Sequence, residues 1–225
     1  MFIGHFGVAL AAKRAAPLTS LGTLVAAAQL LDLVWPLLLL AGVEQVRVVP
    51  GGPPFEKLDF VRYPVTHSLA TVLAGAALFG AVYLWRTGYR AGAWTVAACV
   101  LSHWVLDLVV HVPDLPVWPG GPKVGLGLWN AAPAAVAVEA AIFGGGAALY
   151  LSTTRARDAA GRFGLVALVV FLAVLYVGAA VGPAAPSASD VAVSALAIWL
   201  FVPWAAWVDR HRGLRAAGVR PPAPA

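Results

Sequence analysis

The chain has 225 residues, 61% of them hydrophobic and only 11% charged, with a net charge of +5. No polar segment is long enough to build a separate soluble domain, so the composition excludes a soluble enzyme and defines an integral membrane protein. Its basic excess is not in itself a nucleic-acid footprint, because its meaning depends on where the charges fall along the chain.

Six apolar stretches reach the roughly 20 residues that a bilayer requires: 18–41, 64–85, 91–111, 130–151, 163–181 and 190–207. Lipid offers no partner to an open sheet edge, so the expected fold is all-α, a polytopic helix bundle. Eleven basic residues, Lys13, Arg14, Arg86, Arg90, Arg155, Arg157, Arg162, Arg210, Arg212, Arg215 and Arg220, fall on one side of these spans. Only Arg47, Lys57, Arg62 and Lys123 fall on the other. That asymmetry is the positive-inside pattern. It places both termini in the cytoplasm and the two longest loops outside, with the lipid bilayer as partner and no nucleic acid. The single cysteine, Cys99, lies inside a span and excludes an intramolecular disulfide.

In chain order, residues 1–12 are apolar but about half as long as a span. With Lys13, Arg14 and Pro17 marking a turn, they read as a short half-helix that dips into the membrane and folds back on the first span. At 1.5 Å per residue, His5 and Asp32 reach depths of roughly 16 and 21 Å, close enough to meet. Residues 43–63 form a breaker-rich loop suited to a lid. Pro64 suits the first turn of the next helix, placing Thr66, His67 and Ser68 in its opening turns.

The third span ends in SHWVLDLVVHVPD, where His103, Asp107 and His111 stand four residues apart on one helical face. A second breaker-rich loop follows over 112–129, and the fourth span carries Glu139 about 13 Å from its start. Spans five and six hold no internal charge and read as scaffold, while the glycines at 144–146 suit close helix packing. Residues 1–212 are expected to form one transmembrane domain. Residues 213–225, basic and then rich in Pro and Ala, are expected to be a disordered tail.

Three acids, Asp32, Asp107 and Glu139, thus lie well inside spans, and four of the five histidines lie in or beside the membrane. Histidine nitrogen with carboxylate oxygen is a zinc-type donor set, and bound zinc acidifies water and polarises a carbonyl or phosphoryl oxygen. Each residue also has a plainer role. His103 and Asp107 can form a hydrogen-bonded pair that neutralises a span, His111 can be an interfacial histidine, and His5 an ordinary polar residue near the terminus. Glu139 can be protonated or bond a neighbouring span. Asp114 reads as a solvated or turn-forming acid and His211 as solvated. Asp32 and Glu139 are the hardest to explain structurally, because a lone carboxylate gains nothing from apolar surroundings.

The order of a histidine in FIGHFGVA, an aspartate in QLLDLVWP, then YPVTHSL and SHWVLD resembles the bacterial membrane-bound metal-dependent hydrolases of the YdjM/YbcI type. That family is in turn similar in motif order to zinc-dependent phospholipase C. The resemblance covers residues 1–114, and GGPKVGLGLWNAAP through Glu139 resembles a smaller subgroup. It implies His5, Asp32, His67, His103 and Asp107 as ligands of one divalent metal or a pair, most simply zinc. The second aspartate of the family's acidic motif has no counterpart at Leu31, Asp32 and Leu33, which leaves Glu139 or His111 as substitute and as catalytic acid or base. The implied activity is hydrolysis of an ester or phosphoester, with a lipid or other amphiphile as substrate. Two other classes compete: a cation or proton transporter using the same residues, and a non-catalytic membrane scaffold.

Overall fold

An apolar segment in lipid can satisfy its backbone only through its own turns, and here nearly every such segment is helical. The computed structural model describes residues 1–52 and 54–215. In chain order it contains α1 (Ile3–Ala15), α2 (Leu21–Ala28), α3 (Leu30–Leu40), β1 (Gln45–Val48), β2 (Leu58–Arg62), α4 (Leu69–Thr87) and α5 (Arg90–Val110). Then follow β3 (Leu115–Pro116), β4 (Lys123–Val124), α6 (Ala132–Thr153), β5 (Thr154–Ala156), α7 (Ala159–Val181), α8 (Ala188–Ala195), α9 (Phe201–Arg210) and β6 (Arg212–Leu214). Among the described residues the strands make three two-stranded antiparallel pairs, β1 with β2, β3 with β4 and β5 with β6, so the architecture is an all-α bundle. Helices α4, α5, α6, α7 and the segment Ala188–Arg210 are each long and apolar enough to cross a membrane, and α2 with α3 makes a sixth if the pair counts as one span.

The first span differs from the continuous helix expected over 18–41. It starts at Leu21, where the Ser20 hydroxyl accepts from the Thr23 N–H at 3.1 Å as an N-cap. It then bends by 55° at Gln29, whose backbone takes φ −105° and ψ 10°, outside the helical range. The last span is also uneven: a 3-10 turn over Leu196–Leu200 separates α8 from α9. Pro203 has no N–H to offer the Trp199 carbonyl, and the preceding turn tightens accordingly.

Helices α4 and α5 form a hairpin because Gly88 adopts φ +68° and its N–H closes on the Leu84 carbonyl at 2.7 Å. Helix α1 lies inside the bundle, packed most heavily on α6. That packing is backbone against backbone: a Cβ on Gly146 would stand 2.0 Å from the Gly7 carbonyl oxygen, and one on Gly7 would stand 2.6 Å from that of Ile142. Of the glycines at 144–146, then, only Gly146 serves helix packing, since Gly144 and Gly145 face open space.

The ends of the bundle are distinct. At one, the β1–β2 hairpin and the 112–129 loop lie over the start of α4 and the end of α5. At the other, Lys13 donates to Asp209, and β5 pairs with β6. Met1 is buried, with its nitrogen against Asp107. Gly213 and Leu214, expected to open a disordered tail, belong to β6; residues 216–225 lie outside the described residues.

Candidate metal centre

All five residues of the expected ligand set meet near the end of α5. His103 and Asp107, one turn apart on α5, bring the His103 Nε2 to 3.2 Å from Asp107 Oδ2. Asp32, in the first turn of α3, places Oδ1 3.6 Å from the same Nε2. His67 Nε2 stands 3.6 Å from both Asp32 Oδ1 and Asp107 Oδ2. His5 comes from α1, stacks on the His103 ring at 3.6 Å between centroids, and sets Nε2 3.2 Å from the other Asp107 oxygen, Oδ1. The expected direct meeting of His5 with Asp32 does not occur: no ion pair joins them among the described residues, and both reach the centre beside His103. Donor atoms of His5, His103 and Asp107 lie within 4.8 Å of one another, as do those of Asp32, His67 and His103.

The arrangement of donors leaves room for a cation here. His103 Nδ1 lies 2.7 Å from the carbonyl of Ala28, the last residue before the bend, and a carbonyl can only accept. Nδ1 therefore carries the proton. Nε2, buried, makes no hydrogen bond among the described residues although two carboxylate oxygens lie close to it. Two anionic oxygens beside Nε2 call for positive charge at this point, which a proton on Nε2 or a bound cation supplies. The four contacts of 3.2 to 3.6 Å linking His67 Nε2, His103 Nε2, Asp32 Oδ1 and Asp107 Oδ2 suit such an ion. Tetrahedral zinc with its usual bond lengths spaces its donors by roughly 3.4 Å. His5, on the other carboxylate oxygen, can ligate or can steady Asp107.

The span in which His67 was expected begins later than the sequence suggested. Helix α4 starts at Leu69, and His67 sits in the turn before it. Its carbonyl accepts from the Trp104 indole at 2.9 Å, and its Nδ1 lies 2.7 Å from the Thr66 hydroxyl. These tertiary bonds hold the residue outside the helix that Pro64 was expected to open.

Glu139, expected as an acid or base, stands on α6 against the start of α1. Fully buried on α6, its Oε2 accepts from the backbone N–H groups of Phe2 at 2.8 Å and Gly4 at 3.2 Å. It thus caps the N-terminus of α1, where a carboxylate is favoured by the helix dipole, and holds in place the helix that carries His5.

His111 occupies an outer layer, with Nδ1 3.0 Å from Asp114 Oδ1 and its ring 4.4 Å from that of Trp129. Asp114, expected to be solvated, also accepts from the Tyr63 hydroxyl at 2.8 Å. Burial first, and the Asp114 charge second, push the Tyr63 phenol above its ordinary pKa and keep it a donor. Tyr63 in turn packs on the His67 ring at 5.3 Å, and Phe60 of β2 bridges Trp35, Tyr63 and His111, so the hairpin caps the centre with aromatic rings. His211, also expected to be solvated, pairs with Asp158 at 2.7 Å far from this centre. Sequence reasoning placed Thr66 beside His67 in YPVTHSL but assigned it no role, and gave no weight to Ala28, whose role comes from a backbone atom.

Four of the five side chains are at most 5% exposed, while Asp32 is 19% exposed, so the centre opens beside Asp32. Comparison with protein-family models, curated proteins and solved structures returns no match for the chain. Fold and cluster together define a helical membrane protein whose buried histidines and aspartates can hold a metal ion.

Proposed function

We propose that the protein is a membrane-embedded, metal-dependent hydrolase of the YdjM/YbcI type, cleaving an ester or phosphoester of an amphiphile such as a lipid. The observation that carries this reading is the convergence of His5, Asp32, His67, His103 and Asp107, drawn from four separated segments, into two adjoining triads of donors that share His103. A zinc ion held there supplies Lewis acidity and a water acidified to near neutral pH. The chain's own residues do the rest. Asp32, at the open edge, faces the approaching substrate. The aromatic cover of Phe60 and Tyr63 limits access of bulk water. Of the two acid–base candidates, His111 is the better placed to move a proton, since Asp114 holds its Nδ1 and leaves Nε2 to exchange. Glu139 is committed to two backbone N–H groups and serves to seat α1. The basic end of the bundle faces the cytoplasm of a bacterial plasma membrane, and the looped end, with the centre beneath it, faces outward.

Elemental analysis of detergent-purified protein tests this, alongside His67→Ala and His103→Ala variants that pass the same folding check. The expected result is near-stoichiometric zinc in the parent, lost in both variants, followed by zinc-dependent cleavage of phospholipid or short-chain ester substrates. No metal after reconstitution with zinc or manganese would overturn the reading.

A further inference from the structure

Glu44 is buried to 1% exposure just beyond α3, in a loop otherwise rich in exposed charge. Its two oxygens have separate partners. Oε1 accepts the backbone N–H groups of Val65 at 2.9 Å and Thr66 at 2.8 Å, while Oε2 accepts the Thr66 hydroxyl at 2.7 Å. The same hydroxyl oxygen stands 2.7 Å from His67 Nδ1. A hydroxyl has one hydrogen. With that hydrogen given to the carboxylate, only a lone pair remains for the imidazole, so Nδ1 must be the donor and must carry the proton.

We propose that Glu44 is a positioning residue which, through the Thr66 hydroxyl, locks His67 in the Nδ1–H tautomer and so turns an unprotonated Nε2 toward Asp32 and Asp107. That is the form of imidazole able to ligate a metal. The relay repeats by side chains what the Ala28 carbonyl does for His103, so both histidines present bare Nε2 atoms to the same pair of carboxylates. Its consequence for metal affinity rests on the metal-centre reading; its consequence for the tautomer does not.

A Glu44 that merely pinned the turn would need only Oε1. The substitution Glu44→Gln separates the two roles. Two N–H donors on the Oε1 side require the amide oxygen there, which aims the amide N–H groups at the Thr66 hydroxyl. The hydroxyl then accepts from the amide and donates to Nδ1, and His67 switches to the Nε2–H tautomer. Thr66→Val removes the relay while leaving both backbone bonds of Glu44, and Thr66→Ser restores a hydroxyl.

The experiment is long-range proton–nitrogen NMR of the metal-free full chain labelled in histidine, with zinc affinity measured by chelator competition on the same samples. The parent and Thr66→Ser should show His67 with a proton on Nδ1, Glu44→Gln should show a bare Nδ1 with the proton on Nε2, and Thr66→Val should show both forms. Zinc affinity should fall by about 10- to 100-fold in Glu44→Gln and Thr66→Val and recover in Thr66→Ser. A parent with a bare Nδ1 at His67, or Glu44→Gln and Thr66→Val spectra identical to the parent's, overturns the proposal. Should the parent bind no zinc, the metal reading fails while the spectra still decide the tautomer.

Discussion

Two buried polar clusters share helix α1, eight residues and about 12 Å apart, and they differ in one respect. In the Lys13 cluster every charge has its complement. Lys13 Nζ donates to Asp209 Oδ2 at 2.7 Å and to the Thr19 carbonyl at 2.8 Å, the Leu21 N–H adds to Oδ2, and the Tyr150 hydroxyl donates to Oδ1 at 2.8 Å. In the His5 cluster, two carboxylates face three imidazoles and the Met1 nitrogen, and the Nε2 of His103 makes no hydrogen bond among the described residues. The first cluster is complete as it stands and pins α1, α2, α6 and α9 together. The second keeps donor atoms free of hydrogen bonds that a cation can take up. A buried carboxylate in a membrane protein is thus a pointer to function only after its donors have been counted.

The sharpest way to break this comparison is to remove one central residue from each cluster. His103→Ala should cost zinc affinity by more than about 100-fold, beyond the ~10- to 100-fold typical of losing an outer partner, with little change in thermal stability without metal. Asp209→Ala should do the reverse: it strands a buried lysine, at a cost of about 3 kcal/mol in unfolding free energy, while zinc affinity is retained. Competition titration and thermal unfolding of both variants check the pair; a large affinity loss in Asp209→Ala would erase the distinction.

A smaller effect sharpens the role of α1, which carries one residue of each cluster. Gly146→Ala forces a methyl group against the Gly7 carbonyl and should lower stability by about 1–3 kcal/mol. Because the same shift moves His5, zinc affinity should fall with it. Gly144→Ala, on a face open to the surroundings, should change neither quantity. Equal behaviour of the two variants would show that α1 is not seated through Gly146.

The smallest effect lies outside both clusters. Asp158 caps α7 through the Gly161 N–H at 2.8 Å and receives His211 Nδ1 at 2.7 Å, and these bonds, His211 first, hold its carboxyl below the ordinary carboxylate range. A depressed folded-state pKa contributes stability at pH values above the unfolded pKa, and that contribution disappears as the pH falls through the folded one. Asp158→Asn should therefore be slightly less stable than the parent at neutral pH, and the gap should close on acidification below the carboxylate range. Melting curves across that pH series measure it; a gap that widens in acid contradicts the assignment.

Much of the fold was legible because a bilayer sets length and polarity at once. A stretch of about 20 apolar residues has few alternatives to a helix, and the structure departs from the expected spans mainly at their ends and at two irregular turns. Helical periodicity likewise placed His103 and Asp107 on one face before any tertiary contact was considered. The bend at Gln29 was not legible, since 18–41 reads as one uninterrupted apolar run. Nor was the start of α4 at Leu69, because the bonds that hold residues 64–68 out of a helix come from Glu44 and Trp104, 20 or more positions away.

By itself, the sequence determined that this is a helical membrane protein and which ionisable residues enter its apolar part, because the transfer cost of each residue into lipid depends on that residue and its near neighbours. Tertiary structure alone decided what those residues do. It made Glu139 the cap of α1, moved His111 to an outer pair with Asp114, and brought in Ala28, Thr66 and Glu44 to orient His103 and His67. A hydrogen bond has a direction and a length of about 3 Å, and partners that meet from distant parts of the chain acquire both only when the helices have packed.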